Sequence, residues 1–202
     1  LALAETLGEP DGFFGAASYR VMTAVQSADF EEADRCLEIM RTLSARLQQP
    51  TLIWNYTFMA AGAAILRGDH ERSEQGAEAA LQVGTESGQP DAFIFYTGQL
   101  LGARLQQGRL GELASMIETA VVDSPGLSLF QAWVAAASLE AGDTEHARQL
   151  LEAAAADGFT SVPYDILWLG SIAAFAWVAV ELRADVASRQ LYELLAPYHE
   201  QI

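Results

Sequence analysis

A tight turn recurs along this chain at a nearly fixed interval, and that recurrence restricts the fold more than any other feature. Ala28-Asp29, Gly68-Asp69, Gly108-Arg109, Gly142-Asp143 and Ala184-Asp185 follow one another at spacings of 40, 40, 34 and 42 residues. One helical turn further on stand Ala33, Ser73, Leu113 and Ala147, with Ala187 and Ser188 after the last. Gly reverses the chain at positive φ, Asp caps the helix that follows, and a small residue lets two helices approach closely. A helix, a two-residue turn and a second helix repeated at such a period predict a helical hairpin repeat.

The stretches between breakers support that reading. Gly8-Glu9-Pro10, Gln49-Pro50, Gly88-Gln89-Pro90, Ser124-Pro125-Gly126 and Val162-Pro163 divide the remaining chain into segments of helical length, none with polar and apolar residues alternating at period two. From Asp29 to Gln48, Phe30, Ala33, Leu37, Met40, Leu43 and Leu47 recur every three or four residues while Glu31, Glu32, Asp34, Arg35, Glu38 and Arg41 fill the other face. That is an amphipathic helix with Asp29 as its cap and acidic residues at the positive end of its dipole. Strands are not expected.

Composition narrows the function. With 27 acidic residues against 11 basic ones, the chain carries a formal charge of −16 spread along its length. Such a surface repels phosphate backbones, so nucleic-acid binding is not expected. The single cysteine, Cys36, allows no internal disulfide, suits a reducing cytoplasm, and reads as a buried small hydrophobe in a helical stripe. The most apolar run, Ile166 to Val180, has 15 residues, short of the ~20 needed to span a bilayer, and reads as a core helix. The chain begins at Leu1 with no signal peptide, which suggests one helical-repeat domain over 1–202 cut from a larger protein.

The segment Ala141-Gly142-Asp143-Thr144-Glu145-His146-Ala147-Arg148-Gln149-Leu150-Leu151, followed by Ala154, resembles the turn and second helix of a tetratricopeptide repeat, with Pro125 closing the unit before it. The first helices lack that family's Trp, Leu-Gly and Tyr pattern in register, and three of the four spacings exceed 34 residues. A narrower likeness lies in Asp157-Gly158-Phe159, Pro163-Tyr164-Asp165-Ile166-Leu167-Trp168-Leu169 and Leu191-Tyr192-Glu193-Leu194-Leu195-Ala196-Pro197-Tyr198. Across residues 28 to 198 the chain is similar to the helical-repeat region of large actinobacterial ATPase-containing signalling proteins. Some of those carry a LuxR-type helix-turn-helix, others an adenylate cyclase domain. The resemblance implies a repeat module serving an ATP-dependent transcriptional regulator or, alternatively, a cyclase.

Catalytic chemistry finds little footing. No Gly-x4-Gly-Lys-Ser/Thr loop is present, so ATP is not expected to bind here. His70, His146 and His199 lack an i, i+4 partner, and no metal or other cofactor is expected; His70 and His146 read as solvated first-turn residues. Acidic pairs such as Glu31-Glu32 and Asp143-Glu145 fall in first turns, where capping explains them, and Ser73 and Ser188 fall at the small packing positions. Counting back thirteen, ten or nine residues from the turn glycines reaches Asn55, Phe58, Phe95, Gln99 and Trp133. If first helices line a concave face, these five would supply apolar anchors and directional polar groups to a groove; the alternative is ordinary inter-helix packing.

The expectation is therefore an all-α, right-handed stack of about five tetratricopeptide-like hairpins, an α-solenoid, working without catalysis. Its partner would be a protein segment or a small-molecule effector together with the rest of its own chain, with no membrane contact. A homodimerisation surface is the third possibility.

Overall fold

The computed structural model describes residues 1–123, 130–165 and 167–199. Ser124, Pro125, Gly126 and Ile166, invoked above, lie outside them. Among the described residues every regular element is helical. The chain divides after Ala103 into two compact units.

The first unit holds α1 (Ala2–Leu7), α2 (Pro10–Gln26), α3 (Phe30–Leu47), α4 (Pro50–Leu66), α5 (His70–Glu86) and the greater part of α6 (Ala92–Gln106). The second holds a 3-10 turn at Leu110–Leu113, α7 (Ala114–Asp123), α8 (Gln131–Glu140), α9 (Thr144–Ala155), α10 (Trp168–Glu181), α11 (Asp185–Leu195) and a closing 3-10 turn at Ala196–Tyr198.

One backbone device makes the turns. Ala28, Gly68, Gly108, Gly142 and Arg183 adopt left-handed φ values of 55°, 71°, 65°, 89° and 51°. The amide of the next residue bonds back to a carbonyl of the preceding helix: Asp29 to Ala24 at 2.8 Å, Asp69 to Ala64 at 3.0 Å, Arg109 to Arg104 at 2.9 Å, Asp143 to Ser138 at 2.8 Å and Ala184 to Ala179 at 2.8 Å. That bond ends one helix, and the residue carrying it is already the N-cap of the next. The Asp29, Asp69 and Asp143 carboxylates then accept from the amides of Glu32, Arg72 and His146 at 3.1, 3.2 and 3.1 Å.

Two turns differ from the sequence expectation. Arg109 has no side-chain acceptor to offer, so the helix that should follow begins as the 3-10 turn Leu110–Leu113 before α7. The last turn is shifted by one residue: Arg183 takes the left-handed conformation, Ala184 is the cap, and Asp185 is the first helical residue. Alignment on the aspartate alone misses this, because an acidic residue is favourable both at the cap and in the first turn.

In the first unit the packing itself repeats at the turn interval. Phe14 and Trp54, Val21, Ala61 and Leu101, Ala24 and Ala64, Ala33 and Ser73, Leu37 and Ala77, Met40 and Ala80, and Ser44 and Gly84 are all buried, and members of each set stand 40 residues apart. Polar bridges follow the same rule. Gln49 Nε2 donates to Asp11 at 3.2 Å and Gln89 Nε2 to Thr51 Oγ1 at 3.1 Å. Ser18 Oγ donates to Met59 Sδ at 3.2 Å, and Gln99 Nε2 to the Phe58 carbonyl.

The second unit is centred on Phe159 and Phe175, each 2% exposed with ring centroids 5.5 Å apart, together with Leu151, Ile172, Val178 and Leu191. Phe159 holds a φ of 65°, which a bulky residue adopts only when its surroundings enforce it. Here the buried ring and an amide bond to Ala154 at 2.8 Å do so, while Asp157 accepts from Thr160 and Ser161. The core-helix expectation for the apolar run holds over α10, which buries Ser171, Ile172, Ala174, Phe175, Val178 and Ala179. Among the described residues no helix is long and apolar enough to cross a membrane.

Ala147 is fully buried. Replacing it by Phe is expected to destabilise the chain by about 1–3 kcal/mol through overpacking, read as a lowered midpoint in urea unfolding; an unchanged midpoint would mean that α9 has been placed in the wrong register.

Candidate functional site

Charge is unevenly shared between the helices. No residue of α4 is Asp, Glu, Lys, Arg or His, and α6, α8 and α10 hold one charged residue each, at Arg104, Glu140 and Glu181. The helices α3, α5, α9 and α11 hold most of the rest. In a chain of net charge −16, α4 and α6 of the first unit and α8 and α10 of the second are each nearly free of charge.

Four of the five expected residues lie on two of these helices in the first unit: Asn55 and Phe58 on α4, Phe95 and Gln99 on α6. The Phe58 and Phe95 ring centroids are 4.5 Å apart. Phe58 is half-buried, whereas Phe95 is 40% exposed. Gln99 spans the two helices through its bond to the Phe58 carbonyl, and its Oε1 is buried without a hydrogen-bond partner. Asn55 turns toward α2, where its Oδ1 accepts from Ser18 at 3.4 Å. Trp133 belongs to the second unit, on α8, half-buried next to Gly170 of α10.

Trp54, which the counting rule passes over by one position, is the anchor of this group. Its ring lies 5.0 Å from that of Phe58 and 5.4 Å edge-on from that of Phe95, and only 8% of it is exposed. The signal was available in the sequence, since Trp54 stands one 40-residue repeat after Phe14. Gly84 completes the nest: a Cβ there would fall 2.5 Å from Ala92 Cβ and 2.7 Å from Trp54 Nε1.

A concavity of about 520 Å³ lies between α3 and α4, with Leu37, Ala60 and Ala63 among its apolar lining and Asp34, Glu38 and Arg67 among its charges. Each of these three charges is already paired. Arg67 pairs with Asp34 at 2.7 Å, donates to the Ala63 carbonyl and covers the Phe30 ring, and Glu38 pairs with Arg41 at 2.6 Å.

Glu32 ties α3 to α2, accepting from Arg35 at 2.7 Å and from Arg20 at 2.9 Å. Those bonds, Arg35 first, pull its carboxyl down from 4.5 to about 2. A carboxyl depressed in the folded state adds stability above its unfolded value and loses it as pH falls through the folded one. Glu32→Gln is thus expected to lower the melting temperature at pH 7, and the gap from the unmodified chain should close as the pH falls toward 2.

Cys36 is fully buried, and burial pushes its thiol up, away from the reactive thiolate. The histidines differ from expectation. His70 and His146 do sit in first turns, but both are half-buried, and His146 Nε2 lies 3.5 Å from Glu118. Neither is simply solvated, since His70 Nδ1 and His146 Nε2 are both buried atoms. Among the described residues no group of three or more His, Cys, Asp or Glu could hold a metal ion. Three aromatic residues of the C-terminal motif come together: Tyr164 and Tyr198 join through their hydroxyls at 2.9 Å, and Trp168 packs against both with centroids 5.0 and 5.5 Å away.

No protein family, no curated protein and no solved structure matches the chain.

Proposed function

We propose that the chain is a non-catalytic binding module, a right-handed stack of tetratricopeptide-like hairpins whose neutral inner helices receive a protein segment or a small-molecule effector. The observation that carries this reading is the uncharged helix α4 beside the α6 aromatics. A chain of net charge −16 keeps acidic and basic side chains off α4, yet leaves Phe95 40% exposed beside Phe58 and the unpartnered Gln99 Oε1. Accessible aromatic anchors with a few directional polar groups are what a recognition surface needs. A buried acceptor without a donor costs about 1–3 kcal/mol, a cost that the free chain carries at Gln99. The parent protein, on this reading, is an ATP-dependent LuxR-type transcriptional regulator in which the module passes its ligand state to an ATPase.

A titration of intrinsic tryptophan fluorescence with uncharged hexapeptides bearing one aromatic residue tests the site. Saturable binding that weakens at least about tenfold in Phe95→Ala, a loss of about 1.4 kcal/mol, is the expected result. Equal affinity for the unmodified chain, Phe95→Ala and Gln99→Ala would overturn it. The gene on either side of these codons tests the parentage: an ATPase module with a helix-turn-helix supports the regulator, and a cyclase domain contradicts it.

A further inference from the structure

The cavity of about 520 Å³ lies wholly within the first unit, between α3, α4 and the first turn of α5, and its volume falls in the range of small-molecule sites, roughly 300–1,000 Å³. Leu37, Ala60, Ala63 and Ala64 give it an apolar floor. The repeat does not require that floor to be small. Forty residues on, Leu100 and Arg104 stand at the positions of Ala60 and Ala64, so the next repeat accepts larger side chains there.

The charged rim divides into groups that are committed and groups that are not. Asp34 is held by Arg67, and Glu38 by Arg41. Asp69 and Arg72 are left over. One Asp69 oxygen caps α5 by accepting from the Arg72 amide, but the other stands 4.0 Å from the Arg72 guanidinium, too far for a hydrogen bond. Among the described residues neither that oxygen nor that guanidinium hydrogen-bonds to another group, and the Arg72 side chain is 82% exposed. An uncommitted acceptor and an uncommitted fork of donors, opposite in charge and adjacent, thus line one cavity above an apolar floor.

An ammonium and a carboxylate borne on a single carbon answer both groups together. The ammonium donates to Asp69, and the carboxylate accepts two bonds from the planar guanidinium. Such a head group has no net charge, so a chain of −16 does not repel it, whereas a simple anion meets that field together with Asp34 and Glu38. A simple cation would leave Arg72 unanswered. We propose that this cavity binds a free α-amino acid with an apolar side chain, its head group on Asp69 and Arg72 and its side chain along the alanine floor toward Tyr56. The site goes beyond the aromatic surface of α4 and α6 and shares none of Phe58, Phe95 or Gln99.

Titrating the full chain with L-leucine, followed by NMR at the Ala60, Ala63 and Ala64 amides and the Arg72 side chain, tests the proposal. Saturable shifts with a Kd of about 1 mM or tighter are expected. L-Leucinamide, which lacks the carboxylate, and N-acetyl-L-leucine, which lacks the ammonium, should each bind at least about tenfold more weakly, and so should L-glutamate, whose side chain meets Glu38. Arg72→Gln and Asp69→Asn should lose the binding while keeping the fold, since Arg72 is exposed and asparagine still caps a helix. Ala60→Leu, which fills the floor as Leu100 does one repeat later, should lose it as well. No saturable shift at these residues would overturn the proposal. Equal affinity for the amide or the N-acetyl compound would overturn it too, as would undiminished binding in both Arg72→Gln and Asp69→Asn.

Discussion

Trp54→Ala is expected to cost about 3–5 kcal/mol of stability, the range for removing a buried large aromatic side chain. The ring is 8% exposed and packs with Ala80 and Ala92 as well as with Phe58 and Phe95. The cavity cannot close easily, because α4, α5 and α6 meet at it and Gly84 has no side chain to move in. A glycine inside α5 sacrifices roughly 1 kcal/mol of helix propensity relative to alanine, and the 2.5 Å approach to Ala92 Cβ explains why it is there. Trp54→Phe separates two parts of the effect. Trp54 Nε1 is buried with no hydrogen-bond partner, so Phe retains an aromatic ring while deleting an unpaired donor. Its cost should stay below about 1.5 kcal/mol. Urea unfolding of both variants checks this, and equal losses for the two would mean that the nest is not close-packed.

Gly111→Ala is the second large effect expected, at about 2–3 kcal/mol. A Cβ at Gly111 would stand 2.8 Å from the Ala141 nitrogen and 3.1 Å from both the Ala141 Cα and the Glu140 carbonyl carbon. These are backbone atoms at the end of α8, and they cannot swing aside as a side chain does. The Gly111 amide also donates to the Glu140 carboxylate at 2.6 Å, so any displacement of the 3-10 turn breaks a charge-assisted bond as well. Gly98 supplies the contrast: nothing lies within 4 Å of a Cβ there, and Gly98→Ala on α6 should be neutral or stabilising by up to about 1 kcal/mol. Thermal unfolding in which Gly111→Ala melts with the unmodified chain would contradict the close approach.

The turns were legible in the sequence because their chemistry is local. A glycine at positive φ, a capping carboxylate and a small residue one turn on are dictated within six residues, and the Asp29, Asp69 and Asp143 caps follow them. Where the local chemistry degenerates, the reading slips. Arg109 cannot cap, and Ala28 and Arg183 take a left-handed conformation at a cost that only glycine escapes. The neutral character of α4 was equally visible as composition. The partnership of Phe58 with Phe95 was reached by counting, but the direction of each side chain was not, since one residue rotates a helical position by roughly 100°. That rotation separates buried Trp54 from its neighbour Asn55, which faces Ser18 instead.

Mapping amide and side-chain chemical-shift changes by NMR while the full chain is titrated with an uncharged, aromatic-bearing peptide tests the uncharged α4 and the α6 aromatics as the recognition surface. The expected result is a set of saturable shifts centred on Phe58, Phe95 and the Gln99 side-chain amide, with the charged residues of α3 and α5 silent. Shifts confined to those charged residues, or no saturable shift at all, would contradict it.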